Sequence, residues 1–379
     1  MKAVITAYAR SPFHFARKGA LAQVRPDVLT AQVVQGLMNK VDLDPALIED
    51  LILGCAYPEG PQGNNLARLV VFLADLPQQV GGMTINRFCG SSMSAIHMAA
   101  AQIEAGMGEA FICAGVESMS MVPQGGLHFD PSPELLERYP QAYITMGETA
   151  ENVAQRYQVA RSDQEQLALH SHQKAAAARE QGHLQDEIIP IVDRDGQRIT
   201  SDGCIRPQTT LDALAALKPA FRADGVVTAG TSSPLTDGAA AVLVTSEAFA
   251  QQHGLAPLAR IRAFATVGCD PTEMGMGPVP ATRKALARAG LQASDLDLIE
   301  INEAFSSQAL ACLRELALDP AKVNLDGGAL ALGHPLGATG ARITGKAASL
   351  LKRQRARYAL ATQCIGGGQG IATVLEALN

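Results

Sequence analysis

Hydrophobic and polar residues follow one another in blocks that alternate between helical and strand-like patterns. Residues 27–41 carry apolar side chains at helical spacing, and residues 50–55 form a short, continuous apolar run. The small-residue segment 91–106 again has helical spacing, and residues 111–115 form a second apolar run. Short apolar runs between helices are typical of strands covered on both faces. The pattern therefore predicts an α/β fold with largely parallel strand pairing.

The second half of the chain repeats the order of the first half. Three segments of the second half resemble segments of the first half: an apolar run like the one that opens the chain, a segment like the first buried run, and a small-residue helix followed by a strand. The matching pairs are residues 1–9 with 259–267, 45–54 with 294–302, and 91–115 with 338–364. Repetition of this kind predicts two related α/β domains.

The segment 117–230 interrupts the repeated order with a polar helix and loop-rich stretches. Because residues 231–246 return to an apolar pattern, we expect the first domain to be discontinuous in sequence. The expected division is residues 1–116 and 231–250 for the first half, 117–230 for a loop domain, and 251–379 for the second half.

Composition and charge exclude several classes of protein. The 379 residues carry a net charge of −6, which argues against general nucleic-acid binding. No run of 18 apolar residues is present, so no membrane span is expected, and neither end resembles a targeting segment. The seven cysteines are not spaced as CxxC, which disfavours a zinc site or a disulfide framework. We therefore expect a cytoplasmic protein with reduced thiols.

Cys89 lies immediately before the predicted helix in NRFCGSSMSAIHMAA. The positive end of a helix dipole stabilises a thiolate, and the backbone N–H groups at that end can bind an oxyanion. Position alone does not distinguish a reactive thiol from a structural one, because a buried cysteine before a helix is more often structural.

Three other residues occupy comparable places. His334 precedes the small-residue helix of the second half, Asn302 follows an apolar run, and Cys364 ends another such run before glycines 366–368. The glycines indicate a tight hairpin, and ligand clefts of α/β sheets form at the carboxyl ends of strands. Two thiols, an imidazole and an amide are suited to acyl transfer through a thioester, with a second group for proton transfer.

Five motifs in order along nearly the whole chain resemble the thiolase family of acetyl-CoA acyltransferases. They are NRFCGSSMSAIHMAA, VTAGTSSPLTDGAAA, INEAF, NLDGGALALGHPLGATGAR and CIGGGQG. The resemblance implies a thiolase-like fold, in which two αβαβα halves form a five-layer body and a loop domain binds CoA. It also implies that CoA and acyl-CoA are substrates and that no cofactor is tightly bound.

The resemblance assigns roles to five residues. Cys89 would be the nucleophile that holds the acyl group, and His334 would take its proton. Cys364 would be the second acid/base, acting on the α-carbon of acetyl-CoA. Asn302 would hold a water that forms one oxyanion site with His334, and the N–H groups of Cys89 and Gly366 would form the other.

Residues that contact CoA are also implied by the resemblance. Arg206 would lie near the adenine nucleotide, while Phe221 and Ser233 would contact the pantetheine. Ala304, Phe305 and Met146 would line the path of the acyl group or the pantetheine. Lys218 and Arg222 are candidates for charge near the phosphates, or else belong to a solvated loop.

Several alternatives remain at the level of sequence. A ketoacyl synthase shares the fold but has histidine or asparagine in place of a second cysteine, so Cys364 favours a thiolase. A non-catalytic acyl-CoA-binding protein of the same fold would be free to lose the reactive residues, which are all present. The glycines near Cys364 have too little chain after them for a Rossmann unit. His170 and His172 point to different sides of a polar helix, so no metal site is expected.

The type of thiolase is less tightly specified. Thr145 stands where short-chain biosynthetic members carry histidine, and KPAF and MGMGPVPA resemble the degradative branch. We therefore expect thiolysis of 3-ketoacyl-CoA, with condensation of two acetyl-CoA molecules as the alternative. The resemblance further implies a homodimer or homotetramer, and it leaves open a hydratase/dehydrogenase partner subunit.

Overall fold

A computed structural model describes residues 2–378. Strands and helices alternate over most of this length, with a helical excursion in the middle. The strands are β1 Ala3–Arg10, β2 His14–Phe15, β3 Asp50–Cys55, β4 Gly81–Ile85, β5 Ala110–Ser118, β6 Ile191–Val192, β7 Arg198–Ile199, β8 Thr236–Ser246, β9 Ala259–Gly268, β10 Leu298–Ile301, β11 Tyr358–Ile365 and β12 Gln369–Glu376. The helices are α1 Pro26–Met38, α2 Leu66–Leu73, α3 Ser91–Glu104, α4 Pro133–Arg138, α5 Met146–Arg156, α6 Arg161–Glu180, α7 Leu211–Ala215, α8 Glu247–Gln252, α9 Pro278–Ala289, α10 Ser306–Glu315, α11 Ala329–Leu332 and α12 Leu336–Gln354.

The two halves of the chain build matching parts of one large sheet. The strand order is β10-β11-β12-β9-β1-β8-β5-β3-β4, and β2 pairs with β8. In the first half β3 is parallel to β5, whereas β5–β8 and β8–β1 are antiparallel. The second half repeats these directions in β10–β11, β11–β12 and β12–β9. Antiparallel pairing of β1 with β9 joins the halves, so the predicted repeat is present in the topology.

Mixed pairing corrects one expectation from the sequence. The prediction of largely parallel pairing is wrong, because β8 and β12 each return antiparallel to a neighbouring strand. Both are buried along almost all of their length, so their apolar runs look like those of parallel strands. Continuous hydrophobicity reports that both faces of a strand are covered, and it carries no information on direction.

Helices and sheet alternate in five layers, with a hydrophobic core on each outer side and a third core in the centre. One core packs α1 and α2 on the first half of the sheet, and another packs α9 and α10 on the second half. The third lies between the two halves around α3 and α12. Alternation along β3 follows this arrangement, since Leu51 and Leu53 face the first core while Ile52 faces the central one. Helices α3 and α12 are therefore covered on both sides by sheet.

Small residues let the two central helices approach each other closely. A Cβ atom on Gly340 of α12 would collide with the backbone of Met93 on α3. Ser92 Oγ of α3 accepts a hydrogen bond of 2.8 Å from the Ala341 N–H. Because α3 begins just after Cys89 and α12 begins just after His334, this contact brings the two helix starts into one region.

Residues between β5 and β8 form the excursion, which is tied to both halves by buried charges. Arg10 of β1 donates two hydrogen bonds to Asp202, at 2.6 and 2.8 Å, and one of 2.8 Å to Glu187. Lys346 of α12 also binds Glu187, at 2.9 Å. The division into residues 1–116 with 231–250, 117–230 and 251–379 stays a prediction. None of the helices within residues 2–378 is long and apolar enough to cross a membrane.

Candidate active site

Cys89 lies in a short 3₁₀ turn, Phe88–Gly90, directly before α3. Phe88 has a positive φ of 44°, a strained conformation for an aromatic residue. Two hydrogen bonds hold it: the Phe88 N–H donates to Asn86 Oδ1 at 2.7 Å, and Ser91 Oγ donates to the Phe88 carbonyl oxygen at 2.6 Å. The turn that carries the thiol is therefore fixed by its immediate neighbours.

Cys364 lies near the end of β11, next to the hairpin that leads into β12. Cys364 pairs with Gly370 across this hairpin, and Gly367 and Gly368 have φ values of 77° and 79°. The tight turn expected from the glycines is present. The residues around Cys364 also contact the turn that carries Cys89. Gln363 Nε2 donates a hydrogen bond to the Cys89 carbonyl oxygen.

The two thiols are neighbours. The Gly366 N–H lies close enough to the Cys89 thiol to act to lower the pKa of that thiol. The Cys364 thiol is close enough to Cys89 that negative charge on Cys89 raises the pKa of Cys364. Gly366, two residues after Cys364, therefore lies beside the turn that carries Cys89.

Burial determines the protonation state of both thiols. Removal from water raises the pKa of Cys89 to about 11, an effect larger than the opposing effect of the nearby Gly366 N–H. Burial likewise raises the pKa of Cys364 well above its usual value. Burial opposes the stabilisation of a Cys89 thiolate that is expected from the start of α3, and that expectation stays a prediction. Both groups are neutral thiols near pH 7, and Cys89 needs a base to become a nucleophile.

His334 and Asn302 form a buried pair. Asn302 follows β10, and its Nδ2 lies 3.3 Å from His334 Nε2 and 3.5 Å from Nδ1. Burial, followed by the charge of Arg342, lowers the pKa of His334 to about 3. The imidazole is therefore neutral near pH 7 and can accept a proton. Asn302 Oδ1 is buried and has no hydrogen-bond partner within the described chain, so it can accept a bond from a water.

Two threonines orient His334. The Thr339 hydroxyl lies 2.6 Å from Nδ1, and Thr236 Oγ1 accepts a hydrogen bond of 3.0 Å from the His334 N–H. A proton on Nδ1 can be donated to Thr339, which in turn donates to the Pro335 carbonyl oxygen at 3.5 Å. This tautomer leaves Nε2 free to accept a proton. Neither threonine was identified from the sequence, since hydroxyl residues are common in such loops.

Glu117 is a further residue that the sequence did not reveal. It lies in β5 and is fully buried. Its carboxylate accepts hydrogen bonds from the N–H groups of Ala56, at 2.9 Å, and Gly337, at 3.0 Å. Burial raises the pKa of Glu117, while these bonds and one from Gln62 oppose that effect. Glu117 thus links the first strands to the start of α12, and its charge is one reason why the pKa of Cys89 is raised. In the sequence, Glu117 could have been recognised as a carboxylate near the end of an apolar, strand-like run.

Comparison with known protein families identifies the family to which this chain belongs. The family model "Thiolase, N-terminal domain" matches residues 3–248, and "Thiolase, C-terminal domain" matches residues 255–377. The chain belongs to the thiolase family. This confirms the family expected from the motifs and the thiolase-like fold with its two related halves.

Curated relatives of this thiolase are similar over almost their whole length. Proteins named "3-ketoacyl-CoA thiolase" from Bacillus subtilis (strain 168) and Shewanella denitrificans are 46% and 47% identical, each match covering 99% of both chains. A protein of the same name from Saccharophagus degradans is 47% identical over 98% of this chain and 97% of its own.

Four of the six residues expected to contact CoA lie in one region. Met146, Ala304 and Phe305 pack with Cys364 in a single apolar cluster. The Phe221 ring lies edge-on to the Phe305 ring, with centroids 5.9 Å apart. The exposed aromatic ring and the cluster beneath it connect the surface of this thiolase to the second thiol.

Ser233 joins this region through the backbone. Its N–H donates a hydrogen bond of 2.9 Å to the Ala304 carbonyl oxygen, and neighbouring Ser232 forms a bridge with Phe305. The segment before β8 is thus attached to the loop that follows Asn302.

The basic candidates occupy separate positions. Arg206 is exposed, and its guanidinium lies over the Phe15 ring, 4.9 Å from the centroid. The backbone N–H of Arg206 donates a hydrogen bond of 3.1 Å to His172 Nδ1. Arg222 Nη2 donates a hydrogen bond of 2.6 Å to Asn152 Oδ1, while Lys218 is exposed. The contacts of Arg206 therefore lie outside the cluster around Cys364.

Thr145 and Met146 mark the start of α5. Thr145 is exposed and its hydroxyl donates a hydrogen bond of 3.0 Å to Glu148. A Cβ atom built on Gly366 would lie 3.7 Å from both Met146 Sδ and the Phe88 ring. Met146 and Phe88 therefore flank the hairpin beside Cys364, whereas the Thr145 side chain faces solvent.

Histidines outside the site have other partners. His170 is exposed and contacts Gln166, and His172 accepts the bond from Arg206. Within residues 2–378, no group of three or more His, Cys, Asp or Glu side chains is arranged to hold a metal ion.

Proposed function

We propose that this thiolase cleaves 3-ketoacyl-CoA with CoA, giving acetyl-CoA and an acyl-CoA that is two carbons shorter. The observation that carries the proposal is the hydrogen bond from Gln363 Nε2, beside Cys364, to the Cys89 carbonyl oxygen. It brings the hairpin of the second thiol against the first thiol, as a two-cysteine acyl transfer requires. The printed names of the relatives, 3-ketoacyl-CoA thiolase, support the same substrate class.

The first step forms an acyl-enzyme. His334 Nε2 takes the proton of the Cys89 thiol, and the thiolate attacks the 3-keto carbon. The N–H groups of Cys89 and Gly366 stabilise the oxyanion of the tetrahedral intermediate. The bond between C2 and C3 then breaks, leaving a thioester on Cys89 and the enolate of acetyl-CoA. The protonated imidazole of His334 and a water bound to Asn302 donate hydrogen bonds to the enolate oxygen.

Cys364 completes the first half of the reaction. Its buried thiol carries a proton at neutral pH and donates it to the enolate carbon, which releases acetyl-CoA. One thiol is acylated at this moment and cannot also be the acid, so the chemistry needs the second one.

The second half regenerates the protein. The Cys364 thiolate takes the proton from the thiol of the incoming CoA, and the CoA thiolate attacks the thioester on Cys89. The Cys89 thiolate leaves and recovers its proton from the His334 imidazolium. Each residue returns to its starting protonation state, and CoA and acyl-CoA enter only as substrates.

The apolar cluster supports a role in holding the substrate. Met146, Ala304 and Phe305 surround Cys364, so the thioester arm of CoA and the start of the acyl chain would lie against them. Phe221 and Ser233 extend this wall toward the surface. Arg206, Lys218 and Arg222 are candidates for contacts with the nucleotide end of CoA.

A thiolysis assay across chain lengths tests the proposed reaction. Met146 is flexible and adapts its shape to different chains, and each buried methylene contributes about 0.8 kcal/mol of transfer free energy. We expect 3-ketohexanoyl- and 3-ketooctanoyl-CoA to be cleaved at least as efficiently as acetoacetyl-CoA. Strict specificity for four carbons would contradict the degradative type and favour condensation of acetyl-CoA.

We also propose that the chain is cytoplasmic and assembles as a homodimer or homotetramer. All seven cysteines are free thiols, which is consistent with a reducing compartment. Strand β4 is at the edge of the sheet, and Phe72 and Leu73 on the adjacent α2 are 48% and 45% exposed. Light scattering coupled to gel filtration measures the assembly directly.

A further inference from the structure

Strand β10 and helix α12 contact each other at two successive points on the same face. Asn302, just after β10, lies against His334, just before α12. Two residues earlier on the strand, Glu300 Oε2 accepts a hydrogen bond of 2.9 Å from Arg342 Nη1 of α12. Because side chains two apart share one face of a strand, the ion pair is the next contact below the Asn302–His334 pair.

Packing around β10 confirms which face this is. Leu298 belongs to the central core with Ile343 and Ala347 of α12, whereas Ile299 and Ile301 belong to the outer core. Residues 298, 300 and 302 therefore all face α12. The position of Glu300 along the helix fixes the position of Asn302 along it.

The Glu300–Arg342 pair is a poor stabilising element. Both side chains are 1% exposed, and Glu300 Oε1 and Arg342 Nε and Nη2 have no hydrogen-bond partner within the described chain. Taking such a pair out of water costs more free energy than a single hydrogen bond returns, and well-packed apolar residues would serve stability as well or better. What the pair supplies is a directional contact between two elements that each carry one residue of the site.

We propose that the buried Glu300–Arg342 ion pair is a positioning device that holds Asn302 against His334. This inference rests on the proposed function, because it concerns the oxyanion site formed by these two residues. Glu300 and Arg342 do not touch substrate; they act through the register of β10 on α12. The Arg342 charge also lies close enough to His334 to lower the pKa of the imidazole, which places the ion pair and the site within one electrostatic environment.

The test compares four variants with the wild-type protein. The double variant Glu300→Leu with Arg342→Met removes both buried charges together, so neither is left unpaired and the fold should be retained. Loss of the directional contact should lower kcat for thiolysis by about tenfold or more, because small misplacements near reacting groups have effects of this size. The KM should stay within about threefold of the wild-type value, since substrate contacts are untouched.

Glu300→Gln is the conservative variant, because glutamine keeps the volume and can accept a hydrogen bond from Arg342. It should retain kcat within about threefold of wild type. Lys346→Met is the matched control, since Lys346 is an equally buried charge one turn further along α12 whose partners Glu187 and Asp326 lie off β10. It should lower the melting temperature without a comparable loss of kcat.

Alkylation of Cys89 by iodoacetamide, mapped by peptide mass, gives a readout that needs no CoA substrate. Displacement of His334 should slow alkylation in the double variant by about tenfold, while Glu300→Gln should react at close to the wild-type rate. Wild-type kcat and alkylation in the folded double variant would overturn the inference. If the double variant does not fold, equal activity of Glu300→Gln and Glu300→Leu would overturn it. A wild-type protein that cleaves no 3-ketoacyl-CoA would instead refute the proposed function.

Discussion

Cys89 and Cys364 both have raised thiol pKa values, and the proposed mechanism gives them opposite tasks. Cys364 is buried and Cys89 is partly exposed, and removal from water raises the pKa of each thiol above the usual value for cysteine. A raised pKa suits Cys364, which must hold a proton until the enolate forms. In the proposed mechanism, the raised pKa of Cys89 makes this thiol depend on His334, whose pKa is lowered to about 3 and which is therefore unprotonated at neutral pH.

Replacement of Cys364 by alanine separates the two tasks. Cys364→Ala should reduce thiolysis by about 10²–10⁴-fold, because the positioned acid for the enolate is lost. The methyl group fits the same apolar cluster, so the protein should remain folded. Steady-state thiolysis with acetoacetyl-CoA measures the effect, and retention of more than about a tenth of wild-type turnover would argue against this role.

At the scale of single residues, sequence predicts positions better than partners. Cys89, Cys364, Asn302 and His334 are recognisable because each lies at a strand end or a helix start, which local patterns show. Thr339 is recognisable only once the loop around His334 is folded, and it then orients the imidazole. Removal of Cys89 from water depends on segments far along the chain, so its effect on the pKa of this thiol is not visible in the local sequence.

At the scale of elements, the glycine hairpin between β11 and β12 provides a matched pair of substitutions. Gly367 and Gly368 both have positive φ, but a Cβ atom on Gly367 has no neighbour within 4 Å. One on Gly368 would meet the Cys269 carbonyl oxygen and lie 2.7 Å from Pro271 N. Gly367→Ala should therefore cost only the backbone strain, about 1–2 kcal/mol.

Gly368→Ala should cost distinctly more than Gly367→Ala, because backbone atoms that cannot rotate away must shift. Chemical unfolding of the two variants measures the difference. Equal losses of stability would show that the hairpin adjusts freely, which would contradict its use as a fixed support for Gly366.

Element type follows from sequence more reliably than element pairing. The helices at 26–38, 91–104 and 336–354 and the strands at 50–55 and 358–365 lie close to where periodicity predicts them. Strand direction was missed, since β12 is apolar on both faces because α9 and α12 cover it. The reversal depends on the hairpin, and a glycine run gives little information on register.

At the scale of the whole molecule, the two halves meet across buried polar contacts as well as the central core. His97 of α3 contacts Thr373 of β12 at 2.8 Å and stacks on Phe264 of β9 with centroids 4.3 Å apart. Burial lowers the pKa of His97 to about 3. The fold therefore keeps this imidazole neutral between its two halves.

The His97 contact predicts a stability change with pH. Below about pH 6.5, His97 binds a proton in the unfolded chain but stays neutral in the folded protein. The contribution of His97 to the free energy of unfolding is therefore complete above that pH and decreases as the pH is lowered. Between pH 7.5 and 5.5 the loss from this residue is about 1.4 kcal/mol. His97→Gln should reduce the fall in unfolding free energy by this amount.

Denaturant unfolding at the two pH values measures the His97 effect. The exposed His170→Gln is the matched control for replacing an imidazole. An unchanged pH dependence in His97→Gln would mean that His97 binds protons equally in both states, contrary to its burial.

The most direct test of the account is to locate the acyl group. Incubation with 3-ketooctanoyl-CoA in the absence of free CoA, followed by acid quenching and trypsin, should add a hexanoyl group to the peptide 88–138 that carries Cys89. Fragmentation should place the label on Cys89 rather than Cys113, and Cys89→Ala should abolish it together with turnover. An acyl group on the peptide 358–379 that carries Cys364, or full turnover by Cys89→Ala, would contradict the account.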